Sequence, residues 1–289
     1  MDGIGPPLVT PFDESGDLDE PALRDLVAWV EDRGVDFLGP CGSTSEAELM
    51  TADERARVIE TVAETASVPV LAGTGSPGFE ETRRATGRAA DAGADAALVV
   101  TPFYYNHDQD ALAAYYEDLA DEVALPVYLY SVPVYTDTVL EPETVGRLAE
   151  HPNIAGIKDS SGDLERLTLT RRATADADFD LLTGSGSGLA AGLSAGAQGG
   201  ILALANVAPA VAAEVYDRHR AGDHQAAQDL TDDHVPLNRA VTATHGLPGV
   251  KYVMRQRGAP AGHPRRPHRP LDDAAKSDLD ALIADLDAE

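Results

Sequence analysis

The chain alternates two patterns from near its start to about residue 221, and that alternation constrains its fold more than any other feature. Short, mostly uncharged segments rich in Val, Ile and Leu recur as "GIGPPLVTPF", "VDFLGPCG", "VPVLAGTG", "DAALVVTPF", "LPVYLYSVP", "IAGIKDSS", "FDLLTGSG" and "GGILALANV". Most end in Gly, Ser or Pro, or in Thr-Pro followed by Phe, as a strand buried on both faces should. Amphipathic stretches at helical period separate them. Residues 19–33 put Leu23, Leu26, Val27 and Val30 on one face, and residues 52–66 do the same with Val58, Ile59 and Val62. Thr51 before "ADER" marks a helix start, and Gly34 and Gly93 mark helix ends. Eight strand–helix units in a row predict a (β/α)8 TIM barrel over residues 1–222. The runner-up, a doubly wound open sheet, calls for a glycine-rich dinucleotide turn after the first strand, and "LVTPFDESG" is not one. From about residue 223 the strand signals stop. Residues 223–289 read as a helical C-terminal extension packed on the barrel, with "APAGHPRRPHRPL" as a surface loop at a basic patch.

In such a barrel, reactive groups gather at the carboxyl ends of the strands. Those ends supply Thr10 and Pro11, Gly42 to Ser45, Gly73 to Gly75, Thr101 to Tyr105, Tyr130 to Pro133, Lys158 to Ser160, Gly184 to Gly188, and Asn206. The set holds several hydroxyls, several tyrosines and one lysine. A lysine amine is a nucleophile only when neutral, and removal from water favours the neutral form. It can then condense with a keto group to give an imine, whose cationic nitrogen draws electrons from the adjacent carbon. Tyr130 ends the strand before Lys158 and is placed to carry protons. The hydroxyls and N–H groups of "GSTS", Gly42 to Ser45, can hold a carboxylate beside the keto carbon. Plainer readings stand beside these. Lys158 could ion-pair with Asp159, Tyr130 could be a packing residue, and "GSTS" and the "GSGSG" at 184–188 could be ordinary turns.

Charge narrows the partners. Forty-nine acidic residues against 22 basic ones give a formal charge of −27, which repels nucleic-acid phosphates and anionic membrane surfaces. Only Lys158, Lys251 and Lys276 are lysines. A spread acidic surface with so little lysine is the composition expected of a protein working in concentrated salt, where the Debye length falls to about 3 Å. No basic-then-apolar leader and no long apolar run is present, so a cytoplasmic location is expected. Cys41 is the single cysteine, and it reads as a small buried thiol. The histidines fall mostly beyond residue 218, and neither His219/His224 nor His263/His268 has metal spacing, so a solvated surface role and no metal site are expected.

Taken together, "VTPF" at 9–12, "GSTSE" at 42–46, "TPFYYN" at 101–106, "YSVP" at 130–133, "GIKDSS" at 156–161 and "GGILALAN" at 199–206 resemble the Schiff-base pyruvate aldolases and lyases typified by dihydrodipicolinate synthase and N-acetylneuraminate lyase. The match runs over nearly the whole chain. The resemblance implies that Lys158 forms an imine with pyruvate and that Tyr130 relays protons, assisted by Ser43 and by Tyr104 reaching into a neighbouring subunit's site. It also implies that Ser43 and Thr44 seat the pyruvate carboxylate, that Ile201 backs the methyl group, and that the enzyme is a cofactor-free homotetramer built from dimers. Two positions depart from the pattern. Tyr135 stands where the synthase branch carries an arginine that grips the carboxylate of aspartate semialdehyde, and Ser45 stands where the family normally has glycine. A tyrosine cannot make the arginine's bidentate contact. The resemblance with this departure points to a second substrate that is a polyol aldehyde, and to cleavage of 2-keto-3-deoxygluconate or its 6-phosphate into pyruvate and glyceraldehyde or its phosphate. The alternatives are 4-hydroxy-tetrahydrodipicolinate synthase, a related 2-keto acid dehydratase or lyase, and a non-enzymatic sugar-acid binding protein.

Overall fold

The computed structural model describes residues 1–287 of the 289. The apolar segments become seven parallel strands, β1 (Gly3–Gly5), β2 (Leu71–Gly73), β3 (Ala96–Val100), β4 (Val127–Ser131), β5 (Ile154–Asp159), β6 (Asp180–Thr183) and β7 (Gly199–Ile201). Their order in the sheet is β1-β7-β6-β5-β4-β3-β2, so β1 and β2 are its edges.

The second expected strand, "VDFLGPCG", falls between those two edges and bonds to both. Gly39 N donates to Pro6 O (3.0 Å) and Leu8 N to Gly39 O (2.9 Å); on the other side Leu38 N donates to Pro69 O (2.9 Å) and Leu71 N to Leu38 O (2.8 Å). It makes a single parallel bridge, Leu38 to Val70, rather than a ladder. The cause is local: Pro40 follows the bridge, Pro6 and Pro7 lie on the facing edge, and none of them has an N–H to donate. The result is a TIM-barrel-like α/β fold in which proline turns one expected strand into a short bridging segment.

Helices cover the outside. After β1 comes α1 (Glu20–Glu31), and after the bridging segment α2 (Ala52–Thr65); α3 (Phe79–Asp91) and α4 (Gln109–Glu122) follow β2 and β3. Next are α5 (Pro133–Thr136), α6 (Pro142–Leu148), α7 (Leu164–Ala173), α8 (Leu189–Ser194), α9 (Leu204–Val207) and α10 (Pro209–Arg220). The expected helix faces are the buried ones: Leu23, Leu26, Val27 and Val30 in α1, and Val58, Ile59 and Val62 in α2. Thr51 caps α2 as expected, its side chain accepting from Glu54 N while Glu54 reaches back to Thr51 N. Alternation along each strand separates two cores. Leu129 and Ile157 face the helices, whereas Phe37, Leu98, Tyr128, Tyr130, Leu182 and Ile201 fill the interior of the curled sheet.

The C-terminal part is helical. It comprises α11 (His224–Asp233), α12 (Val235–Arg239), a π-helical turn (Ala240–Thr244), α13 (Gly246–Gln256) and α14 (Asp273–Asp287). α11 packs on α8 and α10, and α13 on α9. The Pro/Arg-rich segment between α13 and α14 is not the free surface loop expected. It runs back as a strap along residue 12, with His263 N bonded to Phe12 O (2.8 Å), and the Arg265 guanidinium bonds Glu54 Oε2 (2.9 Å). No helix among the described residues is long and apolar enough to cross a membrane.

Candidate active site

β4 and β5 pair in register with Tyr130 beside Lys158, and β6 sets Leu182 on the other side of the lysine. Tyr130 and Leu182 belong to the interior core, so the same alternation turns Lys158 inward. Lys158 is 4% exposed, and its Nζ lies 4.1 Å from the centroid of the Tyr130 ring. Among the described residues it has no hydrogen bond and no ion pair. Asp159, the neighbour that could have neutralised it, is the next residue along the strand and faces the other way. Its Oδ1 accepts from Ser161 N at 2.7 Å. The amine is therefore buried, next to a phenol, and uncommitted, which is the state a nucleophilic lysine requires.

The turn that follows the bridging segment forms one wall of a cavity of about 600 Å³. Ser43–Ser45 make a single 3-10 turn, flanked by Cys41 and Glu46 at φ +59° and +60°. Those two side-chain-bearing residues carry the left-handed backbone of the loop. Ser45 lies between them outside the left-handed region, so the serine in place of the family's usual glycine is accommodated. It also anchors the turn: its Oγ donates to Leu8 O (2.5 Å) and accepts from Gly42 N (3.0 Å), while Thr10 Oγ1 donates to Ser45 O (2.8 Å). Gly73, at the end of β2, is required by contact, since a Cβ there would lie 2.1 Å from Cys41 O. Burial pushes the Cys41 thiol up to about 12, the value of an inert core cysteine.

Of the expected site residues, Gly42, Ser43, Tyr130 and Tyr135 line the cavity. Lys158 is not itself a wall; it touches the site through the ring of Tyr130. Thr44 is half-buried in the turn, and Ile201 sits in the same interior core as Tyr130 and Val132. Gly184 lies apart from the cavity: its N–H donates to Asp159 O (2.7 Å), and a Cβ there would strike Ser160 Oγ. Tyr104 is 86% exposed, at φ +86°, with its ring edge-on to Tyr105, and it does not line this chain's own cavity.

The outer wall was not foreseen. Thr244, His245, Gly246, Leu247 and Pro248, from the π-helical turn and the start of α13, face the cavity together with His268 of the strap. His245 and His268 thus correct the expectation that the C-terminal histidines are only solvated surface. Glu46, quoted in "GSTSE" but given no role, also lines the cavity and is ion-paired with the fully buried Lys251. Among the described residues no arginine or lysine lines the cavity, and no group of three or more His, Cys, Asp or Glu could hold a metal.

A family model described as the dihydrodipicolinate synthetase family matches residues 1–286. The chain is 37% identical over 285 residues to a 4-hydroxy-tetrahydrodipicolinate synthase of Methanothrix thermoacetophila, covering 98% of this chain and 96% of that one. It is also 37% identical over 289 residues to a protein of the same name from Haloarcula marismortui, covering 99% and 94%. Among solved structures, YagE, a prophage protein of the dihydrodipicolinic acid synthase family from E. coli K12 in complex with pyruvate, superposes with a TM-score of 0.95 at 32% identity over 99% of both chains. With a buried, unbonded lysine against a tyrosine in a fold shared over its whole length, the chain belongs to the dihydrodipicolinate synthetase family and is an enzyme, a lyase of the pyruvate-dependent aldolase type.

Proposed function

We propose that the chain is a class I aldolase that cleaves 2-keto-3-deoxygluconate reversibly to pyruvate and glyceraldehyde. The Lys158 amine adds to the keto carbon and expels water, giving an imine. In the cleavage direction the bond between the third and fourth carbons breaks, its electrons pass into the imine, and the aldehyde leaves as its hydroxyl loses a proton. Tyr130 moves the protons, Ser43 and Thr44 hold the carboxylate, and Ile201 backs the methylene carbon. Protonation of the enamine and hydrolysis of the imine release pyruvate and restore the amine.

The observation that carries the choice of aldehyde is the absence of arginine and lysine among the described residues lining the cavity, with Tyr135 at its wall. A carboxylate-bearing aldehyde would enter without a charge-assisted partner. The 6-phosphate of the sugar acid meets the same lack within this chain. One specific observation favours a second reading, 4-hydroxy-tetrahydrodipicolinate synthase: relatives of that name match the chain nearly end to end. Pyruvate assayed in molar salt against glyceraldehyde, its 3-phosphate and aspartate semialdehyde separates the readings. Preference for glyceraldehyde is expected, and faster turnover of aspartate semialdehyde would overturn the proposal in favour of the synthase. The exposed Tyr104 supports assembly as a homotetramer in which that ring completes a neighbour's site.

A further inference from the structure

Lys251 is a second buried lysine close to this site, and it is bound as fully as Lys158 is free. Its ammonium donates to Thr10 O (2.7 Å) and to His263 O (2.8 Å) and pairs with Glu46, and it lies 4.7 Å from the Phe12 ring centroid. Two of the ammonium's three donors go to carbonyls, and its charge is paired with Glu46. The three partners come from three separate stretches: the loop after β1, the end of the Gly42–Glu46 turn, and the strap. The other oxygen of Glu46 accepts from Arg265 N (2.7 Å), and the Arg265 guanidinium continues to Leu49 O (3.1 Å) and to both oxygens of Glu54 (2.9 and 2.5 Å). Glu46 is thus gripped from α13 through one oxygen and from the strap through the other. Its backbone sits in the left-handed region without being glycine, a conformation that persists only where its surroundings impose it.

A buried ion pair is a poor source of stability, because removing both charges from water offsets most of their attraction. Apolar side chains would fill the same space. What the pair supplies instead is direction, since each hydrogen bond fixes the residue that bears Glu46, and the 3-10 turn of Ser43–Ser45 ends at that residue.

We propose that Glu46, Lys251 and Arg265 are positioning residues, which hold the turn of Ser43 and Thr44 at a fixed place relative to Lys158, so that the strap far along the chain sets how pyruvate is seated. This rests on the reading of Lys158 as the imine-forming residue. Lys251 differs from Lys158 in that its amine is held by two carbonyls and a carboxylate.

The test measures how the fraction of enzyme reduced by borohydride depends on pyruvate concentration, together with KM and kcat for aldol turnover, in wild type, Glu46→Gln and Arg265→Ala. Thermal unfolding is followed in parallel. Arg265→Ala keeps the Lys251 contacts and the backbone N–H that bonds Glu46 and removes only the guanidinium's ties to Leu49 and Glu54, so it tests the strap's hold on the end of the turn should Glu46→Gln fail to fold. The expected result is that half-maximal trapping and KM for pyruvate rise by about tenfold to a hundredfold, while kcat at saturating pyruvate falls much less. Variants that unfold at lower temperature but trap pyruvate with wild-type concentration dependence would overturn the positioning role alone. A wild type that traps no pyruvate would overturn the reading of Lys158 and the positioning role with it.

Discussion

Lys158 and Lys251 show how neighbouring contacts divide one functional group between two jobs. Lys251 bonds two carbonyls and pairs with a carboxylate, whereas Lys158 has only the face of Tyr130. Lys158 and Tyr130 were legible in the sequence because strand ends are positions with a known meaning and adjacent parallel strands set their residues side by side. Glu46 was not legible, since its partners lie 205 and 219 residues away on α13 and the strap. His245 and His268 were read as surface for the same reason: nothing local marks a residue that only tertiary packing brings to a cavity wall. At this scale the proposed choice of aldehyde turns on Tyr135. Tyr135→Arg is expected to raise kcat/KM for aspartate semialdehyde by roughly tenfold to a hundredfold, the worth of a hydrogen bond to a charged group, and to lower it for glyceraldehyde. Steady-state kinetics with both aldehydes check this, and an unchanged ratio would remove Tyr135 from the specificity argument.

Among the elements, helices were the more legible class, because their apolar faces and caps are local: Thr51 and Glu54 announce α2 within four residues. The bridging segment 36–40 was misread as a regular strand, since its apolar content matches one while its prolines break the ladder. The strap was misread more seriously. Its basic residues suggested a solvated patch, yet Arg265 ties it to α2 through Glu54. That tie has a consequence in acid. The hydrogen bond from Arg265 holds the Glu54 carboxyl down to about 2, below its usual 4.5. The folded state therefore keeps the carboxylate charged where the unfolded chain protonates it, and stability from this pair is complete above about pH 4.5 and is lost as pH falls through about 2. Glu54 is partly exposed, so solvent screening reduces the gain to about 1 kcal/mol. Urea unfolding of wild type and Arg265→Ala across that range should show the difference in stability shrinking toward low pH. A gap that does not change with pH would mean that the strap is held by other contacts.

For the molecule as a whole, the notable balance is between a surplus of acid and a near absence of surface lysine. Arginines make the exposed ion pairs, such as Arg57 with Glu20 and Glu60 (both 2.7 Å) and Arg147 with Glu117 (2.8 Å), but a net charge of −27 remains. Such self-repulsion opposes the compact state in dilute buffer and fades when the Debye length shrinks to about 3 Å in molar salt. The unfolding temperature is expected to rise steadily from low to molar potassium chloride, and a flat or falling curve would count against adaptation to salt. The same scarcity makes the central claim unusually easy to test. Of the three lysines, Lys158 is buried and unbonded, Lys251 is buried and held by two carbonyls and Glu46, and Lys276 is partly exposed beside Asp273 (3.0 Å). Borohydride reduction in the presence of pyruvate, followed by peptide mapping by mass spectrometry, asks which of them reacts. The expected result is one pyruvyl adduct, on the peptide carrying Lys158; an adduct on Lys251, or no adduct at all, would contradict the mechanism.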